Sequence, residues 1–183
     1  MRFIPQKIAG VFVVEAEPHR DERGHFARVF CADEFARAGI EFATAQINLS
    51  GNLAAGTLRG LHYKEPPFAE AKFVRAVRGR AFDVVVDLRA GSATRGQWLG
   101  VVLECHAMNG VFVPEGCAHG FLTLEDDSEL LYQMGRAFVE GHGLGVRWND
   151  PAFGIAWPAA PAVISPRDAG YADWLGINSG RRN

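Results

Sequence analysis

Apolar and polar residues alternate through the middle of this chain in short runs. Segments 73–77, 81–88, 97–103, 110–113, 120–124 and 128–134 each have the β-branched and aromatic content of a strand. Between them stand Arg78-Gly79, Ala90-Gly91-Ser92, Pro114-Glu115-Gly116 and Asp126-Asp127, which supply turn chemistry. Upstream, 11–15 reads as an early strand, 18–24 as its turn, 25–30 as the strand that pairs back, and 42–49 as a further alternating stretch. Helical signal is confined to 33–38, stopped by Gly39, and to a short helix beginning near Ser165. Past Trp148 the alternation fades into Pro151, Pro158, Pro161 and Pro166, a wrapping segment. Many short strands with little helix between them predict an all-β antiparallel sandwich or barrel, and periodicity does not choose between the two.

Composition adds bounds to this picture. A length of 183 residues and 48% hydrophobic content fit one globular domain, placed over 1–175 with a loose tail over 176–183. The net charge of −2 supplies no global positive field for nucleic acid or an anionic membrane, so an anionic ligand needs locally placed arginines. Residues 1–7 lack the apolar core of a signal peptide, and runs such as Val84-Val85-Val86 are far too short to span a bilayer. Cys31, Cys105 and Cys117 follow neither metal nor disulfide-framework spacing, which makes a reduced, cytoplasmic protein the simplest expectation.

The densest candidate chemistry lies in Arg59-Gly60-Leu61-His62-Tyr63, with Lys72 ten residues beyond the histidine. Each member has a plain structural reading. A lone histidine in a β-protein is more often a hydrogen-bonded scaffold residue, and Lys72 fits a solvated strand lysine. Tyr132 shares a strand face with Leu130 and Met134, as a core tyrosine would. Asp168 falls at the third position of a helix start, with Ser165 at the cap and Pro166 first. Strict alternation also places Arg59 and His62 on opposite faces of their strand.

Taken together, Leu58-Arg59-Gly60-Leu61-His62-Tyr63, Lys72-Phe73-Val74-Arg75, Gly116-Cys117-Ala118-His119-Gly120-Phe121, Arg147-Trp148-Asn149-Asp150-Pro151 and Ile164-Ser165-Pro166-Arg167-Asp168 tell more. In order and spacing they resemble the nucleotide-sugar 3,5-epimerases typified by dTDP-4-dehydrorhamnose 3,5-epimerase, over nearly the whole chain. The resemblance implies a cupin-type double-stranded β-helix, or jelly roll, with short peripheral helices. It implies an isomerase without cofactor that inverts carbon 3, carbon 5 or both of a nucleotide-linked 4-keto-6-deoxy sugar, with dTDP-4-dehydro-6-deoxyglucose the leading candidate. His62 would remove a carbon-bound proton and Asp168 would orient it. Tyr132 would deliver a proton to the opposite face, and Lys72 would meet the negative charge of the enolate. Arg59 and Arg23 would bind the diphosphate, with Arg23 supplied by the partner subunit of a homodimer. Gln46, Asn48 and His119 would line the pocket, and Phe26, Phe138 and Arg167 would complete the binding set. Because the family uses both Arg59 and His62, Gly60 is expected to mark a bulge that re-aims one of them.

His119 also sits in a cupin-like turn where metal-binding relatives place a ligand. A metal cupin adds closely spaced histidines and a glutamate, which the surroundings of His62 lack, so the site is expected to be metal-free. A metal-dependent cupin enzyme and a non-catalytic nucleotide-sugar-binding module are the competing readings. The chain departs from the resemblance at His19, Arg28, Glu70, Arg167 and the stretch Gln133-Met134-Gly135-Arg136-Ala137-Phe138, mostly at what would be the nucleotide end.

Overall fold

The computed structural model describes residues 1–176. In chain order its strands begin with β1 (Arg2–Pro5), β2 (Phe12–Glu15), β3 (His19–Asp21) and β4 (Gly24–Phe26), followed by helix α1 (Ala32–Arg37). Then come β5 (Gln46–Asn52), β6 (Thr57–Tyr63), β7 (Lys72–Arg78), β8 (Arg80–Asp87), β9 (Trp98–Glu104), β10 (Asn109–Val113), β11 (Cys117–Thr123) and β12 (Ser128–Met134). Two-residue strands β13 (Leu144–Gly145) and β14 (Val163–Ile164) and helix α2 (Pro166–Ala169) complete the described elements. The tail expected over 176–183 lies outside the described residues apart from Gly176.

Two sheets face each other. One runs β1-β2-β10-β7-β12-β5; the other runs β13-β6-β11-β8-β9, with β14 added in parallel to β6. Their inner faces meet in a core where Val74, Ala76, Val111 and Leu130 of the first pack against Ala81, Val85, Leu103 and Phe121 of the second. Period-two alternation then gives each sheet an outer face that also needs cover. On the first sheet the cover is α1, whose Phe35 lies 5.0 Å from the Phe73 ring and 6.1 Å from that of Phe112. Asp33 and Glu34 suit the positive N-terminal end of α1, and Gly39 ends it in a left-handed conformation with φ +77°. On the second sheet the proline-rich segment supplies Val146, Phe153, Trp157 and Trp174 against Val84, Val86 and Ala118.

The early strand pattern differs from expectation. Strand β2 pairs with β1 and β10, whereas β4 pairs only with β3, inside the stretch expected to be a turn. All six residues of that hairpin are exposed. Phe30, at the end of the expected strand, instead turns into the aromatic cluster around Phe35, 4.9 Å from its ring. Phe42 does the same, packing 5.4 Å from Phe112, so its strand begins only at Gln46. Strands β1, β13 and β14 are too short to register as alternation.

The bulge expected at Gly60 is present. His62 pairs with His119 and Arg59 with Phe121, so Gly60 and Leu61 together oppose the single residue Gly120. Gly60 has φ +128°, and a Cβ there would lie 2.6 Å from the Cα of Gly120. Only glycine fits this conformation and this approach. The extra residue brings Arg59 and His62 to one cavity. Gly60→Ala should therefore destabilise the fold by more than about 1 kcal/mol. A urea midpoint unchanged from wild type would show that the bulge tolerates a side chain.

Candidate active site

Between the two sheets lies a cavity of about 300 Å³ lined by Arg59, His62 and His119 from one sheet and Asn48, Lys72 and Tyr132 from the other. His62 is brought there by the bulge, and its partner comes from the far end of the chain. Strand β14 runs alongside Thr57 and Leu58, which places α2 against β6. Ser165 caps that helix by accepting from the Asp168 N–H at 3.1 Å, so the backbone of Asp168 does the work of a helix start. Its carboxylate is left free to turn toward the imidazole. His62 Nε2 lies 2.8 Å from Asp168 Oδ1, while Asp168 Oδ2 accepts from the Gly60 N–H at 3.0 Å.

Burial alone would raise the Asp168 carboxyl, but the hydrogen bonds from His62 and the Gly60 N–H outweigh it and hold the group below its ordinary value. The His62 side chain is 43% exposed and that of Asp168 only 7%. A half-exposed imidazole backed by a buried carboxylate can take up and release a proton at its free nitrogen, with its tautomer and orientation set from behind.

The facing wall carries Tyr132 and Lys72. Tyr132 stands edge-on to His119, ring centroids 5.9 Å apart. Burial, reinforced by nearby Asp83, keeps its phenol well above the ordinary value, so it remains a proton donor. Lys72 is buried, which lowers its ammonium, although Glu70 opposes the shift. His119 is itself tied to a second buried acid, with Nε2 2.8 Å from Asp83 Oδ2. That acid was missed in the sequence. Its one signal is an Asp at a position that alternation turns inward between Ala81 and Val85.

The remaining candidates divide by place. Arg59 donates to Asn52 Oδ1 at 2.8 Å and to the Gly51 carbonyl at 3.2 Å, fixing its guanidinium at the cavity wall. Gln46 donates to Asn48 Oδ1 and accepts from the Phe138 N–H, both at 2.8 Å, so Gln46 and Phe138 flank the cavity through Asn48. The Phe138 ring is exposed, and Lys64 lies 5.6 Å from its centre while pairing with Glu70 at 2.8 Å. Arg23 and Phe26 stand away from their own chain's cavity, on the exposed β3–β4 hairpin, where Arg23 pairs with Asp21. Arg167 is likewise outside the cavity, donating to the Gly143 carbonyl at 2.9 Å and lying 5.9 Å from the Tyr171 ring centre. Tyr171, also missed in the sequence, stands edge-on to His62 at 6.0 Å. Among the described residues no three His, Cys, Asp or Glu side chains are grouped to hold a metal ion, and no helix is long and apolar enough to cross a membrane.

Two facing antiparallel sheets around a cavity with a histidine–carboxylate pair define a cupin-type β-barrel carrying an acid–base site. The sequence profile of the dTDP-4-dehydrorhamnose 3,5-epimerases matches residues 5–175. A dTDP-4-dehydrorhamnose 3,5-epimerase of Methanothermobacter thermautotrophicus is 39% identical over 174 residues, 93% of this chain and 92% of the relative. A dTDP-4-dehydrorhamnose 3-epimerase of Streptomyces niveus is 40% identical over 169 residues, 92% of this chain and 81% of the relative. The crystal structure of dTDP-4-dehydrorhamnose 3,5-epimerase from Bacillus anthracis with TDP and PPi bound superposes with a TM-score of 0.92 at 31% identity, covering 94% of this chain and 99% of the other. The chain belongs to the dTDP-4-dehydrorhamnose 3,5-epimerase family, a family of isomerases.

Because the folded-state carboxyl of Asp168 is held below its unfolded value, its contribution to stability is present above that unfolded value, about 3.9, and is lost as pH falls through the lower folded value. Asp168→Asn should flatten this acid-side loss in a pH series of urea melts. A slope identical to wild type would show that the pairing with His62 and Gly60 adds nothing.

Proposed function

We propose that this chain is an epimerase of dTDP-linked 4-keto-6-deoxy sugars that inverts a carbon beside the ketone through an enolate. The observation that carries this reading is the placement of His62, held from behind by Asp168 of α2, on one sheet and Tyr132 with Lys72 on the other, around one cavity. A carbon next to a ketone loses its proton only if a base is in reach and the resulting oxyanion is met by a donor. His62 is the base, its positive charge after abstraction stabilised by Asp168, as an acid supports histidine in hydrolase triads. Lys72 meets the enolate oxygen. A preorganised donor at such a position is worth roughly 3–4 kcal/mol of barrier. Inversion without ring release needs the returning proton to reach the opposite face, and Tyr132, kept as a phenol, supplies it. Arg59 holds a diphosphate oxygen by its guanidinium fork. The nucleotide lies toward Asn48, Gln46 and Phe138.

The reading makes the working unit a homodimer, with Arg23 and Phe26 delivered by the hairpin into the cavity of the partner subunit. Its support is the exposed hairpin, which pairs with no other strand, together with apolar surface on the edge strand β5 of the first sheet, where Ile47 and Leu49 are more than half exposed. Arg75 lies buried on that face, donating to the Val29 carbonyl while its Nε has no acceptor. A cytoplasmic location fits three cysteines that are all free thiols.

In heavy water, dTDP-4-dehydro-6-deoxyglucose should gain deuterium at carbon 3, carbon 5 or both. His62→Asn should slow this exchange about a hundred- to ten-thousand-fold. Tyr132→Phe should keep exchange from the His62 side while losing inverted product. No exchange by the wild-type protein would end the reading. For the shared site, co-refolded Arg23→Ala and His62→Asn protomers should regain activity, because one cavity of the mixed dimer then has both wild-type residues. No recovery would place Arg23 in its own chain's site or outside any site.

A further inference from the structure

Two buried groups of opposite charge stand at the inner end of the site: Lys72, which lines the cavity, and Asp83, which lies behind the cavity-lining His119. Lys72 Nζ makes no hydrogen bond among the described residues and is 6% exposed, while Asp83 is fully buried and its Oδ1 has no partner. We propose that Asp83 is a positioning residue: its carboxylate, fixed by His119, is the counter-charge that lets Lys72 stand at this buried end of the site as an ammonium. The inference rests on the reading of Lys72 as the group that meets the enolate oxygen.

Burying a lone ammonium is strongly unfavourable unless an opposite charge accompanies it. Alternation along β8 turns Asp83 inward with Ala81 and Val85, and alternation along β7 turns Lys72 inward with Val74 and Ala76, so the two come from facing sheets into one interior. The other charged and titratable groups around Lys72 are shared with further cations or uncharged. Glu70 is spent on Lys64, at 2.8 Å with both side chains 9% exposed, and that pair is neutral in sum. Burial pushes the Cys117 thiol up to about 12, so it stays uncharged. Tyr132 stays a phenol, Arg59 is a cation held by Asn52, and His62 answers to Asp168. Asp83 alone remains as an anion, with one oxygen on His119.

The dependence is mutual. Burial holds the Asp83 carboxyl above its ordinary value, with His119 and Lys72 opposing the rise, while Glu70 and, after it, Asp83 raise Lys72 against its own burial. The same charge discourages ionisation of Tyr132. One acid would thus set both the positive group for the enolate oxygen and the protonated acid for the returning proton. When the enolate forms, its charge arrives opposite an ammonium already paired from below, and no proton has to move to receive it.

The chain has only three lysines, Lys7, Lys64 and Lys72, so carbon-13 lysine labelling of the intact protein gives three side-chain signals, assigned with Lys72→Met. Lys72 should appear as an ammonium at neutral pH in wild type and as an amine in Asp83→Asn, with Lys7 unmoved. Asp83→Ser, also neutral and smaller, carries the same expectation where Asp83→Asn fails to fold. In the exchange assay these variants should lose at least tenfold in kcat with KM within twofold, and their alkaline limb should move to lower pH. A Lys72 amine in wild type, or an ammonium unchanged in the Asp83 variants, would overturn the assignment, since a merely structural Asp83 leaves the Lys72 charge alone. The spectra need no substrate, so they remain decisive even if the epimerase reading fails.

Discussion

The carboxylate of Asp168 is the tie on which the site depends. The bulge in β6 takes the Gly60 N–H out of the regular ladder, and a buried N–H without an acceptor is strongly unfavourable. Asp168 accepts it with one oxygen and holds His62 with the other. The bulge, the imidazole orientation and the course of the C-terminal segment are therefore one unit. Strand β14 beside Thr57 and Leu58, and the Val146–Leu61 backbone pair, hold that segment in place.

The cavity contains two histidine–carboxylate pairs with the same hydrogen-bond length and different access to water. His62 is 43% exposed at its side chain and His119 only 3%. An imidazole in contact with the cavity can trade protons with whatever enters it. The His119–Asp83 pair is almost wholly buried and fixes charge and geometry at the cavity wall instead. The division follows from depth in the barrel, since both histidines lie on the same sheet and line the same cavity.

Departures from the family pattern are also connected in space. Glu70, one of the positions where the sequence departs from the resemblance, pairs with Lys64, and Lys64 in turn lies 5.6 Å from the ring centre of Phe138. The charge at position 70 is thus answered at the rim that carries position 138. Arg28 is not directed at the cavity. It pairs with Glu34, which also receives the N-terminal amine, so this arginine belongs to the α1 side of the molecule.

The alternation of 73–77 through 128–134 was enough to mark β7 to β12 within a few residues, because each of those strands buries one face in a continuous core. Motif spacing was likewise enough to single out His62, Lys72, Tyr132 and Asp168 as candidates. Pattern could not anticipate the β3–β4 hairpin, whose residues bury nothing, or β13 and β14, whose two residues each are defined only by the strand they join. Asp83 was hidden because an inward acid in a strand has no meaning until the lysine and histidine facing it are known. Local sequence determined which segments become strands, since that depends on the nearest few side chains. The meeting of residues 106 apart at His62 and Asp168 was decided only by the tertiary structure, because it takes a closed barrel and a wrapping segment to bring them within a hydrogen bond.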